Sequence, residues 1–217
     1  MKKLYLYPIW LRIWHWTNAT LFFIQIVTGL SMHFSDPKHP FIPFATARIV
    51  HNIAGILLVF MYLDFLIGNL FTWNGKHYVI KFKGLFKRLF LQTRFYVFGI
   101  FKGEPHPFES NENSKFNPLQ QLTYVFVMFV FMPLLIISGI LLLFPQYAPD
   151  SIFGIGGIWT AGLLHLLAAY FFTLFMVGHI YLGTTGHSPT SNFKSMIDGY
   201  HVILHEDHSK QEQQNEK

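Results

Sequence analysis

Four apolar runs, at about 13–33, 48–72, 119–144 and 157–183, each reach the roughly 20 residues that a helix needs to cross a hydrocarbon core, and they constrain the fold more than any other feature. Only 12% of the residues are charged and 52% are hydrophobic, against roughly 25% charged in a soluble domain. Lipid is therefore the expected solvent for much of the surface. The fold expected is an all-α integral membrane protein, a four-transmembrane-helix bundle over residues 1–204, followed by a polar tail at 205–217 expected to be disordered. The Pro-rich stretch Asp36 to Pro43 separates the first two spans, and Pro145 with Pro149 closes the third. No length remains for a separate soluble catalytic domain, so chemistry that needs one falls to a partner.

The formal charge of +5 is distributed as a topology signal and forms no basic domain for nucleic acid. Three of the lysines and arginines precede or open the first span, two lie in the first loop, eight in the loop between spans two and three, none between spans three and four, and three in the tail. This asymmetry predicts a multi-pass protein of the bacterial inner membrane with both termini and the long loop in the cytoplasm. Within that loop, Tyr78 to Phe101 interleaves bases with Phe, Leu, Val and Tyr, the pattern of an amphipathic segment lying in the membrane interface; a solvated loop is the competing reading.

Cysteine is absent, which excludes disulfides, iron-sulfur clusters, thiolate metal sites and covalently attached haem. Histidine is abundant, and His15, His51, His165 and His179 fall in or at the edge of spans, where ionisable groups mark function. His165 and His179 are 14 residues apart, about 40° short of four full turns, hence on one face of a helix and roughly 21 Å apart along its axis. That spacing suits two cofactor layers. By depth, His15 at the start of span one matches His179 near the end of span four, and His51 at the start of span two matches His165. Two histidine pairs, each from two helices, are what two haems with both axial positions filled require. Such haems carry electrons and leave no position open for oxygen. A structural zinc site wants four ligands, and neither layer offers carboxylates or thiolates to complete one.

Arg12 and Arg48 each precede a candidate ligand by three residues, on nearly the same helix face; contacts to haem propionates and ordinary interfacial anchoring both fit them. Gly29, Ser31, Gly55, Ser138, Gly139, Gly162 and Gly178 flank the histidines, which suits close approach of a porphyrin and equally the packing of helices in lipid.

The motifs Arg12-Ile-Trp-His15-Trp, Arg48-Ile-Val-His51 and Val177-Gly-His179-Ile-Tyr resemble the bacterial cytochrome b561 and nickel-iron hydrogenase cytochrome b superfamily. It includes the membrane subunits of uptake hydrogenases, the gamma subunit of formate dehydrogenase and thiosulfate reductase cytochrome b subunits. The long loop, through Arg94-Phe-Tyr, Phe98 to Pro107 and Lys115 to Gln121, is most similar to the thiosulfate reductase type. The resemblance implies two haem b groups, one held by His15 with His179 and the other by His51 with His165. It implies a quinone, menaquinone or ubiquinone, near the cytoplasmic haem with Asn117 as a contact, although Leu119 replaces a glycine of that motif. It also implies an amphipathic surface segment over Asn192 to Tyr200.

The function expected is that of an electron-transfer subunit of a respiratory oxidoreductase complex, linking the quinone pool to a periplasmic redox partner. That partner is hydrogenase-like, a molybdenum or iron-sulfur reductase, or a multihaem cytochrome c. The alternative is a haem-containing membrane anchor with no quinone chemistry of its own.

Overall fold

A computed structural model of the chain describes residues 2–108, 110–111, 114–152 and 154–203; the tail at 205–217 lies outside them. Three uninterrupted helices occupy apolar runs: α1 (Ile9–His33), α2 (Phe44–Phe71) and, towards the end, α6 (Gly157–Gly183). Pro8 and Pro43 stand just before α1 and α2 with φ of −62° and −51°. Their fixed φ and missing N–H cost nothing at a helix start.

The third run is broken into α4 (Pro118–Phe126), a π turn at Val127–Phe131 and α5 (Met132–Leu143). Pro133 supplies the cause. Its ring has no N–H and collides with the carbonyl four residues back, so the preceding turn widens to i→i+5 bonding. Asn117 starts α4 with a reciprocal cap: its Oδ1 accepts from the Gln120 backbone N–H at 2.9 Å while the Gln120 Oε1 accepts from its own N–H at 3.2 Å.

Phe44–Phe71, Pro118–Leu143 and Gly157–Gly183 are long and apolar enough to cross a membrane. The first helix is of similar length, but with Arg12, His15, Asn18, Gln25 and His33 along it α1 falls short of that apolarity. Large apolar side chains such as Phe60, Leu174 and Val177 point outward, as they do where the solvent is hydrocarbon.

Backbone approach is closest between α1 and α2 and between α5 and α6, with α2 and α5 touching more lightly. The two helix pairs otherwise meet through side chains. Leu21, Ala54 and Leu58 form one buried cluster and Val127, Met132 and Phe172 another, and Phe22 packs against both. Phe22 stacks on Phe172 with ring centres 5.1 Å apart. Trp14 Nε1 donates to the Met61 carbonyl at 2.7 Å, fixing α1 along α2.

Two short strand pairs interrupt the expected all-helical fold. β1 (Lys2–Tyr5) runs antiparallel to β4 (Tyr200–Ile203), and β2 (Ser151–Ile152) turns back on β3 (Ile155–Gly156) just before α6. Between α6 and β4, α7 (Ser191–Asp198) lies beside the start of α1. The Arg12 guanidinium donates to the Ile197 carbonyl, and Trp16 Nε1 donates to the Met196 carbonyl at 3.0 Å. These are last-turn carbonyls of α7 that no intrahelical N–H reaches. The connection from α2 to α4 holds a 3₁₀ turn at Trp73–Tyr78 and a ten-residue helix, α3 (Leu85–Arg94), which buries Gln92 and turns Phe86 and Phe90 outward.

Truncation of the buried ring on which Phe22 stacks, Phe172→Ala, is expected to cost about 3 kcal/mol. A thermal melt of the detergent-purified chain checks it, with Phe172→Leu recovering most of the loss.

Candidate functional site

Along α6, His165, Phe172 and His179 recur at intervals of seven residues, and along α1 so do His15, Phe22 and Gly29. Two turns of helix make about seven residues, so each trio lies on one face. Where those faces oppose each other, the His15 and His179 rings lie 6.0 Å apart, centre to centre, and Phe22 stacks on Phe172. The third pair is made with α2, whose His51 ring lies 6.3 Å from that of His165. The outcome is two histidine pairs at two depths with a pair of phenylalanines between them.

The separations suit a shared metal. Two imidazoles on opposite sides of one ion, with metal–nitrogen bonds of about 2 Å, have ring centres roughly 6 Å apart. Both planes contain the nitrogen–metal axis whatever their mutual twist, so the interplanar angles of 54° and 70° are compatible with such a bridge.

The histidines of the His51–His165 pair have a fixed tautomer. Thr28 donates its hydroxyl hydrogen to the Ile24 carbonyl at 2.7 Å, so its oxygen accepts from His51 Nδ1 at 3.0 Å. Ser138 likewise donates to the Leu134 carbonyl at 2.6 Å, and His165 Nδ1 faces both Ser138 Oγ at 3.1 Å and the Leu135 carbonyl at 3.2 Å. A carbonyl only accepts, so His165 Nδ1 carries the hydrogen and the lone pair is left on Nε2. Neutral imidazole with a free Nε2 is the form that binds a metal.

Each hydroxyl is followed in sequence by a glycine. A Cβ at Gly29 would come within 3.4 Å of the His51 ring, and one at Gly139 within 3.1 Å of the His165 ring. The second contact is tight enough to displace the imidazole. At the other pair, His15 Nδ1 is buried with no hydrogen-bond partner, Tyr124 meets the His179 ring edge-on at 6.1 Å, and Phe175 stacks on it at 5.7 Å.

The remaining predicted residues lie apart from the rings. Arg12 is engaged with α7, with its Nε buried and unpaired; Arg48 is exposed on the first turns of α2. Asn117 caps α4, and its Nδ2 donates to the Tyr96 hydroxyl at 2.9 Å. Sequence reasoning missed Thr28, whose position 23 residues before His51 carries no local signal, and it missed the Phe22–Phe172 stack, which the repeated interval of seven displays.

It also missed a buried polar layer beyond the His15–His179 end. Lys115 is 2% exposed. Its Nζ donates to Asn74 Oδ1 at 2.6 Å and lies 4.9 Å from the centre of the Tyr7 ring. Its backbone N–H points to His77 Nδ1 at 3.4 Å. No carboxylate among the described residues pairs with this ammonium. Burial lowers Lys115 from 10.5 to about 8. Burial first, and then the charges of Lys115 and Lys76, lower His77 from 6.5 to about 4. A cleft of about 440 Å³ opens here, lined by His77, Lys115, Phe116 and Gln121 among others.

Residues 6–199 match the model of the prokaryotic cytochrome b561 family. The chain belongs to that family. It is 44% identical over 200 residues to the protein named "Putative cytochrome YdhU" of Escherichia coli (strain K12), covering 92% of this chain and 75% of the relative. It is 26% identical over 231 residues to the "Probable Ni/Fe-hydrogenase B-type cytochrome subunit" of Rhodobacter capsulatus, covering 93% and 82%. No solved structure gives a significant match. Membership makes the chain a membrane cytochrome b, a haem protein of electron transport.

Lys115 and His77 are bases depressed by folding, so the unfolded chain binds more protons in the window between each folded and unfolded value. Stability therefore rises with pH from about 4 to 6.5 for His77 and from about 8 to 10.5 for Lys115. The melting temperature of the solubilised chain is expected to climb between pH 8 and about pH 10, and Lys115→Met to flatten that climb.

Proposed function

We propose that this cytochrome b holds two haem b groups and carries electrons across the bacterial inner membrane, between the quinone pool and a redox protein on the outer face. The observation that carries the reading is the two facing histidine couples at two depths, with ring centres 6.0 Å and 6.3 Å apart, a spacing at which both rings of a couple would hold one iron. Haem b supplies reversible one-electron storage when bound.

The chain supplies everything else. His15 and His179 are the ligands of the cytoplasmic layer and His51 and His165 those of the outer layer, and Phe22 with Phe172 keeps the layers apart and dry. Counting α1 as the fourth span puts both termini and the α2–α4 connection, with its eight bases, on the cytoplasmic side. There α3 rests in the interface with Phe86 and Phe90 toward lipid. Arg12 and Arg48 stand about one helix turn from His15 and His51, within reach of carboxylate groups at the edge of each layer.

Asn117, between the cleft residues Phe116 and Pro118, is the proposed quinone contact. Beyond its cap and its bond to Tyr96 it retains one amide hydrogen and one lone pair. The Rhodobacter capsulatus relative is named as a hydrogenase subunit, which supports a redox enzyme as the partner here.

The test is the reduced-minus-oxidised spectrum of the purified chain beside its haem-to-protein ratio. A b-type spectrum with about two haems per chain is expected, and loss of about one in His165→Ala and in His179→Ala. Well-folded protein with little haem overturns the reading.

A further inference from the structure

The two histidine pairs differ in what holds the far nitrogen of each ring, and the difference is systematic. In the outer pair both rings donate from Nδ1. His51 gives its hydrogen to Thr28 Oγ1 at 3.0 Å, and His165 gives its own to Ser138 Oγ at 3.1 Å and the Leu135 carbonyl at 3.2 Å. In the inner pair, His15 Nδ1 is buried with no hydrogen-bond partner among the described residues, and Tyr124 and Phe175 meet the His179 ring through ring contacts.

The arrangement is built twice, from unrelated parts of the chain. Thr28-Gly29 on α1 serves His51, and Ser138-Gly139 on α5 serves His165. In both, the hydroxyl takes the ring hydrogen and the adjacent glycine leaves room for the ring, with the would-be Cβ at 3.4 Å and 3.1 Å. In both, the hydroxyl gives its own hydrogen to a carbonyl of its own helix. That bond fixes the hydroxyl as an acceptor toward the histidine.

An imidazole that donates strongly from Nδ1 becomes a more basic ligand through Nε2, and a more basic ligand favours the ferric over the ferrous ion. Local charge works in the same direction. The Lys115 ammonium lies toward the inner pair, over the Phe116 ring that meets Tyr124, which in turn meets the His179 ring, and positive charge favours the reduced state of a nearby centre.

We infer that Thr28 and Ser138 are redox-tuning positioning residues that make the outer haem the lower-potential of the two. The inference rests on the dihaem reading above. Each ring also has a backbone carbonyl beside its hydroxyl, Gln25 for His51 and Leu135 for His165, so each substitution removes the hydroxyl acceptor and leaves the carbonyl.

Spectroscopic redox titration of the full chain in detergent tests this, with haem content measured on each sample. Wild type is expected to titrate in two steps, and His165→Ala to lose the lower one. Thr28→Val is expected to raise the lower midpoint by about a tenfold change in the oxidised-to-reduced ratio, about 59 mV for one electron. It should leave the upper midpoint in place, with Ser138→Ala moving the lower midpoint in the same direction and Thr28→Ser restoring it. Full haem content with the lower midpoint unmoved in Thr28→Val, or an upper midpoint that moves instead, overturns the inference and leaves the dihaem reading intact. Loss of the upper step in His165→Ala overturns it equally. Absence of haem from folded wild type removes the parent reading, and this inference with it.

Discussion

An imidazole in a hydrocarbon layer is tolerated only when its polar nitrogens have something to bond, and α6 carries two of them on one face. The rest of the molecule is arranged around that requirement. Because His165 and His179 are four helical turns apart, no single neighbouring helix end satisfies both. α1 reaches the lower one with His15 and α2 the upper one with His51. The interval between the rings is filled by Phe172, and the matching position of α1 by Phe22. Helix contact is dense within the pairs α1–α2 and α5–α6 and sparse across them.

The two ends of that middle are unlike. The His51–His165 end is bounded by the short hairpin of β2 and β3 and by Ser31, whose hydroxyl exchanges hydrogen bonds with the backbone of Ile42. The His15–His179 end is capped by a polar layer, with Asn74, His77, Lys115, Asn117 and Gln121 bonded to one another or to nearby backbone. A buried lysine that no carboxylate among the described residues meets is costly, and the Tyr7 face with the Asn74 amide offsets part of that cost.

Most of the scaffold was legible from hydropathy. The third and fourth runs agree with α4–α5 and α6 to within a residue, and the first two helices begin four residues before the predicted starts, at Ile9 and Phe44, because Pro8 and Pro43 fix the entry. Pro133 was visible but its effect was not, since a proline within an apolar run either kinks the helix or is absorbed by a π turn, and the surroundings decide which. The strand pair β1–β4 was illegible for a different reason: four residues at each end carry no pattern until the helices that follow one and precede the other stand side by side. The four histidines stood out by type and depth, whereas their braces did not. Thr28 and Ser138 look like any small polar residue in a lipid-packed helix, and only the ring each one meets sets it apart. Asn117 shows the converse, a residue singled out by resemblance that the structure also uses as the first link of a helix.

One feature of the connectivity bears on how such a chain is made. Each facing couple joins a residue in the first half of the sequence to one on α6, the last of the long helices, and neither couple exists before α6 is inserted. During synthesis α1 and α2 are therefore made with His15 and His51 still lacking their opposite rings. They gain both in a single event once α6 is in place, when α7 docks on Arg12 and Trp16 and β4 seals against β1. On the dihaem reading, cofactor capture thus waits for α6, and a polypeptide released before it offers a porphyrin only one ring of each couple.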